Sequence, residues 1–104
     1  MFDHAAYPRL AKAQNTRFYQ DFNTSMEVNG KPMPLAYWNL LCSHRDLQLW
    51  VRMGMIPHRG WKVTAVKRYF GLTGSKDKML SDFETLLNET KCALGLIESM
   101  DAQP

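Results

Sequence analysis

The segment MEVNGKPMP, Met26 to Pro34, limits how this chain can fold more than any other stretch. Asn29-Gly30 favours a tight turn, because both residues tolerate the positive φ angles that a two-residue hairpin loop requires. Pro32 and Pro34 lack a backbone N–H and argue against a long strand beyond that turn. No helix passes through them either. The chain is therefore divided near residue 30.

On the N-terminal side, Asp3 to Phe22 reads as one helix, with Pro8 in its first turn and Leu10, Ala11, Gln14, Phe18 and Phe22 as an imperfect apolar stripe. Beyond the break, the pattern predicts a helix over Leu35 to Cys42. A capping box at Ser43 and Asp46 then opens another helix, His44 to Met53, closed by Gly54. MIPHRG is a loop. Thr64 caps a short helix to Phe70, and Gly71 ends it. Ser75 caps a last, acidic helix running from Lys76 to about Met100. The expected fold is all-α: one compact domain over residues 1–104, a bundle of about five helices, with a short hairpin as an option at Asn29-Gly30. At 104 residues and 45% hydrophobic composition, the chain can fill one core.

Several function classes are excluded at this level. The N-terminus has no basic region followed by an apolar run, and no apolar stretch nears the roughly 20 residues of a membrane span. An intracellular protein without membrane association is expected. Cys42 and Cys92 then read as reduced thiols in apolar helical surroundings. Cys42, His44, His58 and Cys92 lack the paired spacing of a zinc motif, so no metal is expected. No Cys-His pair has a positioned oxyanion hole, and Gly71 and Gly74 are too few for a phosphate-cradling loop. The expectation is a non-enzymatic protein without a cofactor.

Charge is the informative feature. Between Arg45 and Lys78, eight basic residues face two acidic ones, a balance of +6, whereas the remainder carries five basic and eight acidic residues. Such asymmetry can orient a protein on a polyanion. Solvated helix faces account for most Lys and Arg in most proteins, so arrangement decides the matter. The short helix, the Gly-containing turn and the last helix have a helix-turn-helix outline, with Val66, Phe70, Leu72 and Leu80 packing between the helices. Asp77 falls where an apolar residue normally fills the interhelical angle, so the turn must be set differently.

The candidate nucleic-acid-binding residues are Arg59, Lys62, Lys67, Arg68, Thr73, Ser75, Lys76 and Lys78, with duplex DNA as the expected partner. Two alternatives use other features. A protein-interaction module, as an adaptor or homo-oligomer, would use Leu94, Leu96, Ile97 and Met100 of the last helix. RNA binding would need exposed aromatics such as Trp61 and Tyr69. Trp61 otherwise anchors its loop to the core, and Trp38 and Trp50 read as core positions.

Four motifs between Phe18 and Leu87 together resemble the AT-rich interaction domain (ARID) family. They are RFYQDF, VNGKPMPLAYWNLL with Gly30, Lys31, Leu35, Trp38 and Leu40, GWKVTAVKRYFGL around Trp61, and MLSDFETLL with Met79, Phe83, Glu84 and Leu87. The chain departs from that family in lacking a paired Gly before the Trp and in having Phe83 for a Tyr. Its segment from Leu40 to Trp61 is also longer, and the turn after the Trp helix is shorter. The resemblance implies a helical fold on duplex DNA, with the turn near Thr73–Lys78 at the major groove and flanking loops on phosphates.

Overall fold

Phe18, Phe70 and Phe83 form a relay of fully buried rings that ties three separate helices together. The Phe18 and Phe70 ring centroids lie 5.1 Å apart, and Phe70 meets Phe83 edge-on at 5.0 Å and 83°. Burying each ring contributes about 1.5–3 kcal/mol. The structure is a computed structural model and describes residues 5–95.

In chain order the elements are α1 (Pro8–Lys12), α2 (Arg17–Gln20), a 3-10 turn (Asp21–Asn23), β1 (Ser25–Val28), β2 (Lys31–Pro34), α3 (Leu35–Met53), α4 (Val63–Phe70) and α5 (Lys76–Ala93). The all-α expectation is therefore corrected: a two-stranded antiparallel sheet joins five α-helices. Asn29 and Gly30 take φ angles of 53° and 78°, as the two-residue loop demands. Val28 faces Lys31, Glu27 faces Pro32, and Ser25 faces Pro34. Ladder bonds alternate along such a pair. Both prolines fall at positions where no inter-strand N–H is needed, and Leu35 N–H then donates to the Thr24 carbonyl at 2.8 Å. That phase admits Pro into these strands.

Three helix boundaries also differ. Thr64 does not cap α4, which opens at Val63 with Lys62 at its N-cap and no side-chain cap bond. The single helix expected over Asp3–Phe22 is broken in the described part, because Thr16 bonds in both directions. Its hydroxyl donates to the Ala13 carbonyl at 2.6 Å and accepts the Tyr19 N–H at 3.3 Å. A Thr side chain that serves the backbone this way competes with helix continuation and caps the next helix. Conversely, the break expected at Ser43 is absent: α3 runs unbroken through it. Ala36, Leu40 and Leu47 form one buried stripe across that point, and packing of this stripe overrides the capping signal. Trp38, expected inward, is 37% exposed.

The N-terminal helix is held by the last one. Glu89 of α5 is only 3% exposed, and its Oε1 accepts the N–H groups of Arg9 at 2.9 Å and Leu10 at 3.1 Å. Two of the orphan donors at the start of α1 are thus satisfied from 80 residues away. The Arg9 guanidinium turns the other way, donating from Nη2 to the Gly71 carbonyl at the end of α4 at 3.0 Å. In the expected C-terminal stripe, Met79, Leu80, Phe83 and Leu87 are buried and Leu94 packs half-buried on the core. Leu96, Ile97 and Met100 lie outside the described residues.

Candidate nucleic-acid interface

The turn between α4 and α5 is built around Leu72, which is 3% exposed and whose N–H donates to the Lys67 carbonyl at 2.9 Å. Leu72 fills the angle between the helices. Asp77 is therefore free to stand exposed in the first turn of α5, where a negative charge is favourable. Gly71 adopts φ 71°, and a Cβ there would lie 2.9 Å from Thr16 Cγ2. Val66, Phe70, Leu72 and Leu80 are all buried, as the helix-turn-helix outline requires.

The eight candidate residues divide into two groups. Thr73, Ser75, Lys76 and Lys78 are exposed around the start of α5, but three of them already have a partner. Ser75 accepts the Lys78 N–H at 3.4 Å as the helix cap. Lys76 Nζ lies 4.4 Å from the Trp50 ring centroid, a cation–π arrangement. Lys78 Nζ lies 2.6 Å from Asp82 Oδ2, and that hydrogen bond holds the Asp82 carboxyl below its ordinary range.

The second group is different. Arg59, Lys62, Lys67 and Arg68 form no ion pair among the described residues, whereas Arg9, Arg17, Arg45, Arg52 and Lys78 each have a carboxylate within 4.0 Å. Lys12, Lys31, Lys76 and Lys91 also lack one, but Lys76 lies over the Trp50 ring and the other three stand on α1, β2 and α5. On α4, with about 100° between successive residues, Arg68 points directly away from buried Val66 and Phe70. Lys67 lies about 100° round the helix from it, while Lys62, in the extended N-cap, lies toward α3. The four cations are spread around α4 and its entry loop instead of forming one flat patch.

Two clefts border α4. One, of about 410 Å³, is lined by Asn15, Thr16, Arg17, Ala65, Arg68 and Tyr69. Arg17 is a functional candidate that sequence reading missed, because nothing near it in the chain signals that α2 packs beside α4. Its ion pair to Asp21 at 3.1 Å uses Nε, and the side chain is 73% exposed. The other cleft, of about 370 Å³, lies between α3 and α4 and includes Asn39, Asp46, Trp61, Lys62 and Tyr69.

Tyr69 forms the wall between them. Its hydroxyl donates to Asp21 and accepts from Asn39 Nδ2 at 2.8 Å, and burial with the Asp21 bond pushes its pKa up to about 12. Trp61 is half-buried and packs at 5.7 Å on Trp50. Both aromatics considered for base stacking are thus engaged in the protein.

His44 stacks on Phe83 at 5.8 Å and bonds Glu84 at 3.1 Å, while His58 lies in the exposed loop and Cys42 in the α3–α4 cleft. Among the described residues, no group of three or more His, Cys, Asp or Glu side chains could hold a metal ion, and no helix is long and apolar enough to cross a membrane. No protein-family model, curated protein or solved structure matches the chain.

Proposed function

We propose that this chain is a non-enzymatic duplex-DNA-binding domain that grips phosphates with the outer face of α4 and its entry loop. The observation that carries the reading is that four cations on α4 and its entry loop, Arg59, Lys62, Lys67 and Arg68, have no carboxylate partner among the described residues. Cations already neutralised internally gain less from a phosphate, so these four are the primary contacts, and Arg17, exposed but paired through Nε with Asp21, is secondary to them. Thr73 and the backbone at the start of α5 add neutral donors, while Lys76 and Lys78 act at the margin. The half-burial of Trp61 and the bonded hydroxyl of Tyr69 favour a duplex over a single strand, which would need open aromatic faces. The resemblance to AT-rich interaction domains belongs to this reading and adds DNA as the polyanion.

Binding of a short labelled duplex across a salt series tests it. About four or five phosphate contacts give a slope of log affinity against log salt of about −4. Weak binding that is indifferent to salt would overturn it.

A further inference from the structure

We infer that the tip of the α3–α4 loop, Met55 and Ile56, is an apolar wedge that enters an unstacked base step of the bound duplex and bends it. The inference rests on the reading above and gives it a mode of action.

Met53, Met55 and Ile56 are 66%, 51% and 58% exposed in a chain whose other large aliphatic side chains are mostly covered. Single exposed apolar residues need no explanation, but three within four positions make a patch. The tip is held at both ends. Gly54, in the left-handed region at φ 66°, donates its N–H to the Trp50 carbonyl at 3.2 Å, and Met55 N–H donates to the Leu49 carbonyl. At the far end, Trp61 N–H donates to the His58 carbonyl at 3.2 Å, with Gly60 at φ 86° in the turn. The Trp61 ring then rests on Trp50. Both ends of the loop are therefore anchored at Trp50.

Cations flank the tip. Arg52 precedes it, 60% exposed and with Nη2 3.6 Å from Glu84 Oε2, and Arg59, without a carboxylate partner, follows it. An apolar point between guanidinium groups matches the side chains that enter the minor groove, where Met, Ile, Leu or Pro parts a base step while cations hold the adjoining phosphates. The same loop leads on to Lys62 at the start of α4. An anionic lipid surface offers similar charge, but lasting membrane attachment takes more apolar area than one short loop provides.

The test compares a perfect duplex with one carrying a central mismatch, whose weaker stacking lowers the cost of insertion. The wild type should bind the mismatched duplex about tenfold more tightly and raise energy transfer between dyes on the duplex ends. The double variant Met55→Ser/Ile56→Ser should bring that ratio close to one and abolish the transfer change. It should melt as the wild type does, since exposed substitutions barely alter stability, and should keep the wild-type salt slope on the perfect duplex, since every cation is intact.

Equal wild-type binding to both duplexes, with no change in transfer, overturns the wedge and leaves DNA binding standing. Absence of salt-dependent binding to any duplex removes both. Binding to phosphatidylserine vesicles that is lost in the double variant, with duplex binding unchanged, also overturns the wedge and assigns the tip to a membrane.

Discussion

The Tyr69 hydroxyl of α4 donates to Asp21 Oδ2 at 2.5 Å, joining residues 48 positions apart beside the proposed phosphate site. Burial and the neighbouring carboxylate both favour the neutral phenol and place its pKa at about 12, against an ordinary 10.0. The unfolded chain loses this proton first as pH rises. The bond's contribution is therefore complete below about pH 10 and declines between about pH 10 and 12. Thermal melting at pH 9 and pH 11 should show a larger alkaline loss for the wild type than for Tyr69→Phe. Equal losses would mean that this phenol is not the group responsible.

The Glu89 carboxylate makes a second prediction. Glu89→Ala leaves the buried N–H of Leu10 and the half-buried N–H of Arg9 without this acceptor, and the buried orphan alone costs about 1–3 kcal/mol. Urea denaturation should show a fall in midpoint. Glu89→Gln retains a carbonyl acceptor and should lose less than half as much.

At Gly71, replacement by Ala meets two obstacles, a positive φ and a Cβ within 2.9 Å of Thr16 Cγ2. A loss of about 1–3 kcal/mol is expected. The same denaturation assay checks it, with the open site Gly60→Ala as comparison, where strain arises without the clash.

For the interface, Lys67→Ala and Arg68→Ala should each reduce the salt slope by about 1 and weaken binding to all duplex sequences alike. Lys76→Ala should act differently. It removes the contact with Trp50, lowering stability by about 0.5–1 kcal/mol and DNA affinity only slightly. Lys91→Ala, on the acidic helix, should leave the slope unchanged. If Lys76 proves the strongest of the four, the division into engaged and available cations is wrong.

The helical stretches were legible in the sequence wherever local signals agreed with packing. Val66 and Phe70 marked the inner face of α4, and Ser75 its successor's cap. Reading failed where a local signal competed with a distant one. Ser43 looked like a cap, yet the stripe through Leu40 and Leu47 carried the helix past it. Thr16 gave no warning that its hydroxyl would divide the first helix. In the candidate site, cations were visible as residue types, but their partners were not. Trp50 beneath Lys76 and Arg17 beside Arg68 come from elements far apart in the chain, and periodicity within one helix holds no trace of such pairings.

The clasp of Glu89 on α1 has a consequence for synthesis. A five-residue helix is far below the length at which helices persist alone in water. Its donors find their acceptor only in α5, so α1 must wait, unclosed, until the ribosome has added the 80 residues from Arg9 to Glu89. A helix translated before the other four is thus among the last that can be completed.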